Sequence, residues 1–143
     1  MNFKQLFFLY MVLPYSLFSF SLKDLSLEEK VGQVFMVYFD GDAFNAEAEF
    51  LLNEIHVGGI IYYKWANKLS NPTQIRTLSS SLQKETKIPL FIATDQEGGV
   101  VTRLENGFTE FPGNAALGAT NMPDLAYSAS EIMGNEMLAV GIN

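Results

Sequence analysis

Apolar residues fall into two kinds of grouping along this chain: short, almost unbroken runs, and longer stretches in which they recur at helical spacing. Gln33–Phe39 (QVFMVYF), Gly59–Tyr63 (GIIYY) and Pro89–Thr94 (PLFIAT) are of the first kind. All three predict strands, and the first, rich in β-branched and aromatic residues, fits a strand buried on both faces, as in a parallel sheet. Between them, Ala43–Ile55 sets Phe44, Ala48, Leu51, Leu52 and Ile55 on one helical face and gives way to Val57-Gly58-Gly59. Asn71-Pro72 offers a cap and a proline at the first position of a second helix, whose stripe of Ile75, Leu78 and Leu82 continues to about Lys87. A short helix is predicted ahead of the first strand, where Ser26 and Glu29 match a capping box, and a long one over Pro123–Val140. Residues from about Glu97 to Asn121 read as a Gly- and Pro-containing loop.

The order β-α-β-α-β-loop-α means parallel strands joined by right-handed crossovers, either a doubly wound sheet or part of a (β/α)₈ barrel. Both architectures gather chemistry at the carboxyl ends of the strands, where Asp40, Lys64 and Asp95 stand. Three parallel strands expose two unpaired edges, which a stable soluble domain seldom leaves uncovered. The last residues, AVGIN, follow a helix at the point where another strand is expected to start.

The N-terminus departs from this rhythm. Lys4 gives a short positive region, Leu6–Phe20 is apolar apart from a proline and serines, and Ser19 and Ser21 are spaced like a small-x-small cleavage signal before LKDLS. With about 15 apolar residues against the roughly 20 needed to cross a bilayer, the segment reads as a signal peptide over 1–21 rather than an anchor. Export to the periplasm or the extracellular space, with no stable membrane insertion after cleavage, is the expectation.

Composition narrows the function classes. In 143 residues, 48% are hydrophobic, enough for a globular core. The formal charge of −7 disfavours nucleic acid and anionic membrane surfaces as partners. There is no cysteine for disulfides or thiolate chemistry, and a single histidine, His56, excludes any metal site that needs two within the chain. Neither Val57-Gly58-Gly59 nor Glu97-Gly98-Gly99 completes a dinucleotide fingerprint, and no P-loop motif occurs.

Candidate chemistry concentrates in residues 90–104, LFIATDQEGGVVTRL. On a continued strand Asp95 and Glu97 would share a face, and paired carboxylates are the apparatus of glycoside hydrolysis. On spacing alone the pair is weak evidence, and Asp95 capping the strand end with Glu97 in solvent is the favoured reading. Gly98-Gly99 admit positive φ and close approach of another group, as a turn beside a ligand requires. Arg103 carries a planar fork of donors suited to a carboxylate or to vicinal sugar hydroxyls, or alternatively to a surface ion pair with Glu105 or Asp95. Trp65 suits either a sugar face or packing. His56, beside a helix end, fits a partner for the helix dipole better than a catalyst.

The run ATDQEGGVVTRLENGFTEFPGNAALGAT, with VGQVFMVYFDG and VGGIIYYKWAN ahead of it, resembles the N-terminal catalytic domain of family 3 glycoside hydrolases, in its bacterial β-N-acetylglucosaminidase (β-N-acetylhexosaminidase) branch. The resemblance covers roughly Leu25 to Asn143 and implies a domain over 22–143. The implied fold is α/β, about three βα units forming the N-terminal part of a (β/α)₈ TIM-type barrel. The implied activity is removal of terminal β-linked N-acetylglucosamine from peptidoglycan fragments or chitin oligomers, with retention and without a cofactor.

By that resemblance Asp95 hydrogen-bonds sugar hydroxyls and Arg103 helps to hold the same sugar, while neither is catalytic. The family's nucleophile is an aspartate on a later strand, and its acid/base lies in a later loop with K-H-F-P-G-H-G. Glu110–Asn114 (EFPGN) shares only three letters with that loop. Val100 stands where relatives often carry arginine. The family domain is much longer than this chain, so a truncated or split form is expected, with the missing C-terminal part of the domain as its partner. The alternatives are an exported, non-catalytic sugar-binding module or the product of a decayed gene.

Overall fold

The computed structural model describes residues 21–143, so the signal-peptide reading of 1–21 lies outside the described residues except for Ser21. A single 3₁₀ turn at Leu22–Asp24 leads into α1 (Leu27–Gly32). Its capping box forms as the sequence predicts: Ser26 Oγ accepts from the Glu29 amide at 3.1 Å and the Glu29 carboxylate accepts from the Ser26 amide at 2.8 Å. Next come β1 (Met36–Val37), α2 (Ala46–Asn53), β2 (Gly59–Tyr62), a one-turn α3 (Lys64–Asn67), α4 (Pro72–Lys84) and β3 (Phe91–Thr94). A hairpin of β4 (Gln96–Gly98) and β5 (Val101–Thr102) follows, then α5 (Asn114–Ala119) and α6 (Pro123–Ala139). Among the described residues, no helix is long and apolar enough to cross a membrane.

β1, β2 and β3 form one parallel sheet in sequence order, with Val37, Ile60 and Ile92 in register. Alternation along each strand divides the sheet into two unlike faces. Phe39, Ile60, Tyr62, Leu90 and Ile92 are buried against Ala48 and Leu52 of α2 and Ile75, Leu78 and Leu82 of α4. The helical spacing in α4 thus delivers its apolar stripe to the sheet, where burial of each aliphatic side chain contributes roughly 2 kcal/mol. Met36 and Tyr38 of the opposite face are about half exposed, and Phe91 is 67% exposed.

The expectation that the first strand is buried on both faces therefore fails for one face. Both sequential crossovers place their helices on the same side, as a right-handed βαβαβ run does. The uncovered side is the one that a closed barrel turns inward. The outer edge of β3 is not bare, however. Asn143 donates its backbone N–H to the Ile92 carbonyl at 3.0 Å, and its side-chain oxygen accepts from the Ile92 amide at 3.0 Å. Its side-chain NH₂ donates to the Leu90 carbonyl at 3.1 Å, so Asn143 sits where a fourth strand would pair.

Candidate functional site

Loops at the carboxyl ends of the three strands form one rim. Fully buried Asn67, at the end of α3, joins two of them: its side-chain NH₂ donates to the carbonyls of Phe39 and Gly41, both at 3.0 Å, and its oxygen accepts from the Tyr63 amide at 3.0 Å. Three backbone groups that would otherwise be desolvated without partners are satisfied by one side chain. Gln74 of α4 adds a bond to the Asp42 carbonyl at 2.8 Å. Lys68 pairs with Asp42 at 2.6 Å, and the lysine's hydrogen bond and charge lower the pKa of that carboxyl.

Asp95 follows β3 directly, and one further step of the β2–β3 register sets it beside Tyr63. Arg103 folds back to it across the hairpin, with 3.5 Å between Arg103 Nη2 and Asp95 Oδ2. Both side chains are partly buried, the arginine 29% and the aspartate 43% exposed. Glu97 points into solvent and makes no hydrogen bond or ion pair among the described residues. The two acids thus occupy different surroundings, and only Asp95 has a cationic partner.

Gln96, between the two acids, has a role that spacing did not reveal. Its side-chain oxygen accepts from the amides of Arg103 and Leu104 at 2.9 and 3.0 Å, and its nitrogen donates to the Leu104 carbonyl at 3.1 Å. Gln96 therefore fixes the return strand and with it the origin of the Arg103 side chain. No sequence signal distinguishes this glutamine from a solvated one.

Gly99 takes a φ of +60°, as the first central residue of the two-residue hairpin between Gly98 and Val101 requires, and Gly98 takes +81° at the end of β4, where the pairing is irregular. Their close neighbour is not an open ligand space but the chain itself. A Cβ on Gly98 would lie 2.5 Å from the Pro112 carbonyl oxygen, and one on Gly99 would lie 2.9 Å from the Gly113 nitrogen. The Gly99 amide donates to the Phe111 carbonyl at 2.8 Å. The EFPGN segment therefore serves as a backbone strap over the hairpin, and Val100 at its tip is fully exposed.

Lys64, expected at a strand end, is there, with its ammonium 2.5 Å from Glu105 Oε2. That pair ties the start of α3 to the segment after Arg103. Trp65 lies on α3 with its ring stacked on Tyr63 (centroids 5.4 Å apart, planes 16°) and edge-on to Tyr38 at 5.0 Å. His56 lies at the opposite end of the sheet. Its φ of 58° turns the chain out of α2 in place of a glycine, and its carbonyl accepts from Gln33 Nε2 at 2.9 Å. The cavity of about 160 Å³ beside it, lined by Glu29, Gln33, Glu85 and Lys87 among others, is at the amino ends of the strands and shares no residue with the rim.

Parallel βα units with their polar side chains gathered at the strands' carboxyl ends define the class of the barrel-type α/β enzymes. The chain belongs to family 3 of the glycosyl hydrolases: the family model described as "Glycosyl hydrolase family 3 N terminal domain" matches residues 26–143. It is 32% identical over 114 residues to a β-hexosaminidase of Alkalilimnicola ehrlichii, covering 76% of this chain and 32% of that protein.

Among solved structures, a family 3 β-N-acetylglucosaminidase of Paenibacillus sp. superposes with a TM-score of 0.80 at 50% identity, over 83% of this chain and 23% of the other. NagZ of Neisseria gonorrhoeae, solved with N-trifluoroacetyl-D-glucosamine, superposes with a TM-score of 0.63 at 30% identity, over 75% and 33%. The chain thus spans about a quarter to a third of these relatives. The incomplete TIM-type barrel expected from the sequence is the fold these neighbours share with it.

Proposed function

We propose that the whole protein hydrolyses terminal β-linked N-acetylglucosamine, and that this chain contributes Asp95 and Arg103 as the pair that holds the sugar. The observation that carries the reading is the partly buried Asp95–Arg103 contact at the carboxyl end of β3. At 3.5 Å the contact leaves acceptor positions on the carboxylate and donors on the guanidinium unused. A sugar with neighbouring hydroxyls uses both: its O–H groups donate to Asp95 and its oxygens accept from Arg103.

Each charged side chain orients the other before the ligand arrives, which reduces the ordering cost of binding. The relatives named β-hexosaminidase and β-N-acetylglucosaminidase, and the N-acylated glucosamine bound by the Neisseria protein, support N-acetylglucosamine as the sugar class. In such a hydrolysis the bond between the anomeric carbon and the leaving oxygen breaks, and the glycosyl unit passes to water.

Titration of the ¹⁵N-labelled chain with N-acetylglucosamine tests the reading. Shifts are expected at residues 94–104, and Asp95→Asn and Arg103→Lys should each weaken binding about tenfold, the order of one charge-assisted contact (~1.4 kcal/mol). Unchanged affinity in both variants would sink it. So would turnover of an aryl β-N-acetylglucosaminide by this chain that is lost in Glu97→Gln, since the two acids would then be a catalytic pair.

A further inference from the structure

We propose that Trp65 forms the floor of a second sugar subsite, taking the apolar face of the pyranose linked to the unit held by Asp95 and Arg103; the inference rests on the sugar-binding reading above. Trp65 is 67% exposed although it belongs to a cluster of three aromatic rings. Tyr63 covers one face of the indole at 5.4 Å, and Tyr38 meets it edge-on at 5.0 Å. Two rings thus fix the plane of the indole while leaving it largely open to solvent.

A pre-oriented aromatic surface loses little side-chain freedom when it binds, and its electron-rich face suits the axial C–H groups of a β-linked pyranose. Position supplies the second part of the case. Trp65 follows Lys64, whose ammonium is bound to Glu105, and Glu105 is two residues beyond Arg103. Tyr63, under the indole, directly follows Tyr62 of β2, and Asp95 directly follows its registered partner Thr94 of β3. The aromatic cluster and the charged pair therefore lie on neighbouring loops of one rim, joined by an ion pair on one side and by strand register on the other. On this reading a ligand of two linked sugars engages both, whereas a single sugar held by Asp95 has no need of Trp65.

Trp65 is the chain's one tryptophan, so its emission reports on this position alone. Calorimetry and fluorescence on the full chain, with N-acetylglucosamine and N,N′-diacetylchitobiose as probes, distinguish the possible outcomes. The disaccharide should bind at least tenfold more tightly than the monosaccharide and shift the emission to shorter wavelength. Trp65→Ala should bring the disaccharide down to the affinity of the monosaccharide and leave the monosaccharide within twofold of its original value. Trp65→Phe should keep part of the difference.

A disaccharide no tighter than the monosaccharide, or a Trp65→Ala variant that weakens both equally, would overturn the second subsite while leaving the Asp95 reading standing. Binding of neither sugar would overturn both.

Discussion

Tyr62 takes its hydroxyl into the layer between the sheet and α4, where Ser79 Oγ at 3.1 Å is its partner. Burial disfavours the phenolate and raises the pKa from its usual value near 10 to about 12, a shift that the Ser79 hydrogen bond only partly opposes. The neutral phenol is the form the fold accepts. Its contribution is therefore complete below pH 10 and is lost as pH rises through 12. Over that window stability should fall by roughly 2–3 kcal/mol on account of this residue.

Urea unfolding at stepped pH checks this, with Tyr62→Phe as the comparison. The variant should lose most of the alkaline slope, because Ser79 can turn its hydroxyl to its own helix and leave no orphan. An equally steep slope in Tyr62→Phe would place the alkaline sensitivity elsewhere.

Elements differ in how plainly the sequence announces them. α1, α2, α4, α6 and the three parallel strands were legible because each carries either a cap signal or enough apolar positions to show its period. β4 and β5 were not, since strands of three and two residues display no period, and α3 and α5 are too short to carry a stripe. Gly98-Gly99 announced a turn, but what comes close to them is carbonyl and amide of 111–113, and nothing in the spacing of EFPGN points back to position 98. For the same reason Asp95 and Arg103 could be picked out as residue types, while Gln96, which fixes where Arg103 starts, could not.

The strap geometry yields a test at this scale. Gly98→Ala forces a side chain into φ +81° and against the Pro112 carbonyl, and should cost roughly 2–3 kcal/mol or release the strap. Hydrogen exchange at the Gly99 amide, bonded to Phe111, should accelerate. Gly134→Ala is the control: it lies within α6, where an added Cβ meets nothing within 4 Å, and should stabilise by about 0.5–1 kcal/mol. Slow exchange at Gly99 in the Gly98→Ala chain would mean that the strap does not depend on the glycine.

Taken whole, the molecule is a sheet with one face finished and one face open. The helix-covered side holds the core, and Asn143 pairs with part of the outer edge of β3, while β1 is only two residues long and offers little edge to pair. Runs without polar alternation were correct about chemistry on both sides of the strands but could not say what would lie against the second side. Among the described residues Met36 stays about half exposed and Phe91 mostly exposed there, and exposed apolar surface of this kind drives association.

The chain on its own should therefore bind a hydrophobic dye and sediment with concentration-dependent size. Phe91→Lys should reduce both effects. Phe91 is 67% exposed, so this change should move the urea midpoint by no more than about 0.5 kcal/mol in stability terms. A chain that stays monomeric and dye-silent at every concentration would show that this face is covered in solution. A large loss of stability in Phe91→Lys would show that Phe91 belongs to a core rather than to an open surface.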